Sequence, residues 1–396
     1  MKYFFILGNN PTLSLAEISA IFDLSKNKGH FVIPNIFILD TEENIKPTEL
    51  IKRLGGTIKI GIINDKINPN NQTIINKAND LIDEQKKEGK FKFGFSNYGN
   101  QKINLKPIGM EIKKYLKEQS VSCRWITSKE KTLSSVVVEQ NKLTSKGIEI
   151  VFIPNAENNK EIFIGKTLAV QPFKELSYRD YGRPARDDES GMLPPKLAQI
   201  MINLVQAKLE DIILDPFCGS GTIITENLLM GYKNLIGSDV SEKAVADTKK
   251  NISWITKNWK LEIGKLEIYQ QDSTKLSKII KPESIDVIVT EPFLGPQRGK
   301  IDIKKTVPEL EQLYNKSLKE FNKILKANGR VVMIWPIFLK ANSTKLNLDL
   351  NGFKIIEPLP EYLINNKDLK ITPRNTIIYG RQGQKIWREI VILEKN

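Results

Sequence analysis

Apolar positions fall into two kinds of pattern along the chain. Beyond about residue 196, short apolar runs alternate with stretches whose apolar positions recur every three or four residues. The runs Ile212–Leu214, Leu235–Ser238, Leu266–Tyr269, Val287–Thr290 and Val331–Trp335 predict strands. The intervening stretches Thr222–Met230, Ser241–Trp254 and Glu309–Leu325 predict helices. Ser241 followed by Glu242 and Val245 reads as a capped amphipathic start. Strands alternating with helices in this way imply a parallel, doubly wound α/β sheet. The tail, Thr376–Tyr379 and Glu389–Leu393 around Gly380-Arg381-Gln382-Gly383, predicts a β-hairpin that closes the sheet edge.

The N-terminal half reads as α+β. Tyr3–Leu7, Phe31–Leu39, Phe91–Ser96 and Ile148–Ile153 are strand-like, and Leu15–Phe22, Gln72–Glu84 and Lys106–Glu118 are helix-like. Between the halves, Gln171-Pro172-Phe173 through Pro194-Pro195 collects prolines, glycines and the charged run Arg183–Glu189, which predicts a linker over 171–195. There is no internal repeat and no long low-complexity tract.

Composition narrows the chemistry. Two cysteines (Cys123, Cys218) and one histidine (His30) cannot build a cysteine-rich zinc site, a redox CxxC pair or a disulfide framework. A metal site is therefore not expected, and zinc hydrolase and zinc deaminase readings fail for want of ligands. No apolar run approaches the roughly 20 residues that span a bilayer, and the short apolar start Tyr3–Leu7 fits a first strand rather than a signal peptide. A cytoplasmic protein without membrane contact is expected. Sixty Lys plus Arg against 46 Asp plus Glu give a net charge of +14. That balance suits a polyanionic partner, whose phosphates exchange counterions for basic side chains.

The strongest local signal is Asp215-Pro216-Phe217-Cys218-Gly219-Ser220-Gly221-Thr222, directly after a strand and opening a helix. Glycines there permit a tight turn and close approach of a ligand, and the following helix N-terminus favours a carboxylate. Ile224 in place of a third glycine excludes the dinucleotide fingerprint, and no Gly-Lys-Thr/Ser makes a Walker loop. Acids end the next two strands as well. Asp239 is placed to accept both hydroxyls of a ribose and Asp272 to hold an adenine amine.

The fourth strand ends in Thr290-Glu291-Pro292-Phe293-Leu294-Gly295-Pro296. With this turn, the C-terminal half resembles the class I S-adenosylmethionine-dependent amino-methyltransferases, which carry Asp/Asn-Pro-Pro-aromatic at this strand end. The resemblance implies S-adenosyl-L-methionine as cofactor, held by Asp215, Pro216, Phe217, Gly219, Gly221, Thr222, Asp239 and Asp272. It implies an acceptor site of Glu291, Pro292 and Phe293, where a carboxylate and a proline carbonyl accept hydrogen bonds from the target amine. The chain departs from the motif in using Glu291 for the shorter acid, with Phe293 in the second proline's place and Leu294 in the aromatic's. An acid at Glu291 has no obvious structural duty in the sequence.

The N-terminal half is similar to the ferredoxin-like plus THUMP arrangement of the archaeal and eukaryotic tRNA guanine-N2 methyltransferases that modify position ten. The stretches carrying this are Tyr3–Gly8 with Pro11 and Leu15-Ala16-Glu17-Ile18, then Ile164–Gln171, Tyr178–Pro184 and Met192–Ala198. The implied organisation is a ferredoxin-like domain at 1–65, a THUMP-type RNA-binding domain at 66–170, the linker, and a Rossmann-like methyltransferase domain at 196–396. The implied partner is tRNA, and the implied reaction is methylation of a guanosine N2 amine. Two rivals stay open on the sequence: an amino-methyltransferase for rRNA or DNA, and a catalytically silent module that binds cofactor and RNA. The need for a small activating subunit is likewise left open.

Overall fold

A computed structural model describes residues 1–24, 27–86, 89–186, 192–296, 299, 301–339 and 344–396. The chain divides into two compact units, one of Met1–Pro11, Leu24–Arg53 and Thr57–Phe173, the other of Thr12–Asp23, Leu54–Gly56 and Lys174–Asn396.

The elements up to residue 170 are β1 (Lys2–Leu7), α1 (Pro11–Ile21), β2 (Lys28–Ile33), β3 (Ile36–Asp40), α2 (Pro47–Arg53), β4 (Thr57–Ile67), α3 (Asn71–Gln85), β5 (Phe91–Asn97), α4 (Leu105–Glu118), β6 (Cys123–Ile126), α5 (Ser135–Gln140), β7 (Gly147–Pro154) and β8 (Ile162–Val170). The strands form one sheet in the order β2-β3-β1-β4-β8-β7-β5-β6. The expected boundary at 65/66 falls inside β4. The single strand expected over Phe31–Leu39 is two, β2 and β3, paired antiparallel around Pro34-Asn35. Pro34 has no N–H for a ladder and Asn35 suits a turn, so the run folds back on itself. Apolar positions at helical spacing, Ile74, Ala78 and Ile82 on α3 and Ile108, Ile112 and Leu116 on α4, pack on Phe91, Phe93, Phe95, Ile148, Ile150 and Phe152 of the sheet.

Strand β4 was not visible in the pattern because Lys59 interrupts it. That lysine is buried, and its ammonium donates to Glu149 Oε1 at 2.6 Å and to the Leu133 carbonyl at 2.6 Å. Ser96 and Thr167 hydroxyls donate to the same carboxylate, so both of its oxygens are hydrogen-bonded.

In the other unit, α6 (Phe173–Tyr181) and α7 (Pro195–Leu204) precede β9 (Ile212–Asp215), α8 (Thr222–Leu229), β10 (Asn234–Asp239), α9 (Glu242–Trp259), β11 (Lys265–Gln270), β12 (Ile285–Thr290), α10 (Ile303–Ile324), β13 (Leu325–Phe338), β14 (Thr344–Lys345), β15 (Phe353–Ile355), α11 (Glu361–Ile364), β16 (Ile377–Tyr379) and β17 (Ile386–Lys395). The sheet order is β11-β10-β9-β12-β13-β17-β15, parallel from β11 to β13. The order reverses between β9 and β12, which opens a crevice at their carboxyl ends. The tail hairpin is present. Strand β17 pairs antiparallel with β13 on one side and with β15 and β16 on the other. Helix α10 buries Leu310, Tyr314, Leu318 and Phe321.

The stretch read as a linker is not structureless. Helix α6 occupies its first part, while 187–191, including part of the charged run, lie outside the described residues. Helix α1 also counts with this unit from Thr12 onward. Its buried Glu17 accepts from Gly55 N and Gly56 N at 2.8 Å each and from Asn203 Nδ2 at 2.7 Å.

Candidate active site

The crevice holds a cavity of about 570 Å³, and every expected site residue except Gly221 lines it. Gly221 works from behind. It caps α8 at φ +83°, and a Cβ there would stand 2.9 Å from Thr248 Cγ2. Gly219 is also left-handed, at φ +51°. Both positions suit glycine for that reason. The loop is pinned by Cys218 N donating to Ser238 O at 2.9 Å and by Thr248 Oγ1 donating to Gly219 O at 2.8 Å. Burial pushes the Cys218 thiol up.

The three strand-end acids do different things. Asp215 is 1% exposed, and its Oδ1 accepts from Thr290 Oγ1 at 2.8 Å and Phe217 N at 3.2 Å. Burial raises its carboxyl to about 7 against the pull of those hydrogen bonds, and Asp239 and Glu291 add to the rise. Asp239 Oδ2 accepts from Gly219 N at 3.0 Å and Oδ1 from Ser241 N at 2.9 Å. It thereby fixes the loop to the end of β10 while each oxygen keeps a lone pair for a hydroxyl. Asp272 caps a short 3₁₀ turn at Ser273–Lys278, accepting from Thr274 N at 2.9 Å and Thr274 Oγ1 at 2.8 Å. Partial burial raises its carboxyl, but Thr274 and Lys275 together hold it below the ordinary value.

The turn after β12 corrects one expectation. Glu291 does have another partner: Arg388 Nε on β17 donates to its Oε1 at 2.5 Å, with the two side chains 13% and 12% exposed. Among the described residues nothing donates to Glu291 Oε2, which leaves that oxygen as an acceptor on a cavity-lining residue. The Phe293 carbonyl accepts from the buried Tyr314 hydroxyl at 3.0 Å, which fixes the turn to α10. Phe293 itself is 52% exposed at the cavity wall, whereas Leu294 is buried. The aromatic face of this turn is therefore at Phe293.

Comparison with known proteins decides the family. A domain model described as "RMKL-like, methyltransferase domain" matches residues 183–342, and one described as "DNA methylase" matches residues 17–250. The second spans more than half of the chain but ends before Glu291, so it carries no information on the acceptor turn. A protein of Methanothermococcus thermolithotrophicus named "Probable tRNA (guanine(10)-N2)-dimethyltransferase" is 30% identical over 165 residues, 41% of this chain and 88% of that protein. The chain belongs to the methyltransferases, in the family of the tRNA (guanine(10)-N2)-dimethyltransferases. The protein of that name from Methanothermobacter thermautotrophicus is 33% identical over 153 residues, 39% of this chain and 41% of the relative. That from Methanocaldococcus jannaschii is 28% identical over 203 residues, 48% of this chain and 51% of the relative. The chain thus spans about half the length of these curated relatives. A crystal structure of TrmN from Thermus thermophilus matches the fold at TM-score 0.54 and 16% identity, covering 100% of both chains.

In this chain the stretch expected as a linker braces the glycine turn, which the sequence did not disclose. Arg179 on α6 forms a two-pronged pair with Glu226 on α8, at 2.8 and 3.1 Å, with exposures of 5% and 1%. Arg183 Nη1 donates to Thr222 Oγ1 at 2.6 Å. Asn251 Nδ2 donates to both Ala185 O and Ser220 O, at 2.9 and 2.8 Å. Lys243 and Asp247 on α9 also line the cavity, paired at 2.7 Å. Among the described residues no cluster of three potential metal ligands occurs.

Proposed function

We propose that this protein transfers the methyl group of S-adenosyl-L-methionine to the exocyclic N2 amine of a guanosine in tRNA, at position ten as its relatives' names state. The observation that carries the reading is the juxtaposition, in one cavity, of the glycine turn with its three acids and the Glu291-Pro292-Phe293 turn. The cavity suits the cofactor: its volume is that of a small-molecule site, and the glycine turn admits close main-chain approach. In this reading Asp239 accepts the ribose hydroxyls, Asp272 takes the adenine amine, and the N-terminus of α8 faces the amino-acid carboxylate. Bound there, the cofactor supplies an electrophilic methyl on a sulfonium.

The chain's own task is to make a poor nucleophile react. The N2 lone pair is delocalised into the guanine ring. Hydrogen bonds from the amine to Glu291 Oε2 and the Pro292 carbonyl localise it, and the proton displaced by the new N–CH₃ bond leaves toward Glu291 Oε2. Phe293 packs on the base plane. A stacked base cannot reach this turn, so the nucleotide enters flipped out. The turn would also orient the amine toward the bound methyl donor, which lowers the barrier by positioning.

For tRNA as partner, the support is the net charge of +14 and exposed bases such as Lys106, Lys113, Lys114 and Lys117 on α4 and Arg124 on β6. We read residues 66–170, which lie within the segment Thr57–Phe173 of its unit, as the THUMP-type, RNA-binding part. The test is transfer of labelled methyl groups by the full chain into separate pools of tRNA, ribosomal RNA and DNA. Label confined to tRNA is expected, and label confined to either other pool overturns the substrate.

A further inference from the structure

The Glu291–Arg388 pair offers more than a fixed carboxylate. One guanidinium nitrogen, Nε, and one carboxylate oxygen, Oε1, satisfy each other at 2.5 Å. Among the described residues nothing pairs with Nη1 or Nη2 of Arg388, or with Oε2 of Glu291, and both residues line the cavity. Two largely buried charges therefore cancel while showing an unmet acceptor beside unmet donors. A neutralised pair of this kind has little to gain from a phosphate. It matches a neutral planar edge on which a donor adjoins an acceptor.

An exocyclic amine next to a ring nitrogen lone pair is such an edge. Guanine carries it on one side only, at N2 and N3. On its other side N2 adjoins N1–H, a donor that would meet the Arg388 donors head-on. Resting on the guanosine reading above, we propose that Arg388 is a base-reading residue that donates to guanine N3 while Glu291 Oε2 accepts from N2–H. The target guanosine is then held by its N2/N3 edge, with its Watson–Crick N1–H directed away from the pair.

The test compares tRNA transcripts carrying guanosine or 3-deazaguanosine at the target position, the latter having C–H in place of N3. Single-turnover methylation is measured with the wild-type chain, Arg388→Met and Arg388→Lys, with cofactor affinity as a control for folding. The wild-type chain should methylate 3-deazaguanosine about 10- to 100-fold more slowly than guanosine, the loss of a hydrogen bond to a charged donor. Arg388→Met should lose a similar factor on guanosine and nothing further on 3-deazaguanosine, while Arg388→Lys, which keeps a donor, falls between. Equal wild-type rates on the two transcripts, or losses that multiply in Arg388→Met, overturn the assignment and leave guanosine methylation standing. No transfer to the guanosine transcript overturns the functional reading itself.

Discussion

Asp215 has no solvent to stabilise its charge, and the consequence is measurable. Its folded-state value of about 7 lies above the ordinary 3.8 of an aspartate. A raised carboxyl contributes stability that is full below about pH 4 and is lost as pH rises through 7. Asp215→Asn keeps an oxygen for Thr290 and Phe217 but never ionises. Its stability relative to wild type should therefore improve between pH 5 and 8 by on the order of 3 kcal/mol, from the roughly two pH units below the folded value of about 7 that this window spans. Urea unfolding at the two pH values checks this, and a difference that does not change with pH contradicts it. At Glu291 the expectation is catalytic. Glu291→Gln retains an acceptor and partial activity, whereas Glu291→Ala should lose ~10²–10³ in single-turnover rate with cofactor affinity little changed. An alanine variant at the wild-type rate would make the turn mere scaffolding. The acids and glycines were legible because their spacing is local to strand ends. Arg388 was not, because it lies 97 residues from Glu291 in a strand of ordinary pattern.

At the scale of elements, α6 shows what composition leaves out. Prolines, glycines and charges made 171–195 read as a linker, yet Leu176 and Arg179 turn a face of α6 inward. A charge can be an interior residue when its partner arrives from another helix, which sequence order does not reveal. Burial raises the Glu226 carboxyl, while Arg179 opposes that shift. Arg179→Met should therefore destabilise by ~3–5 kcal/mol, since it removes the two-pronged partner of buried Glu226 and leaves it only Gln199 and the more distant charge of Arg183. Adding Glu226→Leu should recover most of the loss. Denaturant midpoints of the single and double variants decide it, and a double variant no better than the single one contradicts the account. The same logic hid β4, where Lys59 finds Glu149 across 90 residues. Strands with unbroken apolar runs, β9, β12 and β13, were legible from sequence alone.

For the whole molecule, cutting the chain near Ser177 is a poor way to ask what the N-terminal residues do. It would remove Glu17, which holds Gly55, Gly56 and Asn203 inside the other unit. The full chain answers the question through salt. Affinity for tRNA should fall with a slope of roughly −0.7 to −0.9 in log K against log salt for each phosphate contacted. A flat dependence would remove the electrostatic role assigned to the charge of +14. No helix among the described residues is long and apolar enough to cross a membrane. The most direct measurement of the central claim is nucleoside mass spectrometry of a tRNA transcript incubated with the full chain and methyl-labelled S-adenosylmethionine. The account predicts labelled N2-methyl- or N2,N2-dimethylguanosine with wild type and its near-absence with Glu291→Ala. Label on adenosine or cytidine, or no labelled nucleoside at all, would contradict it.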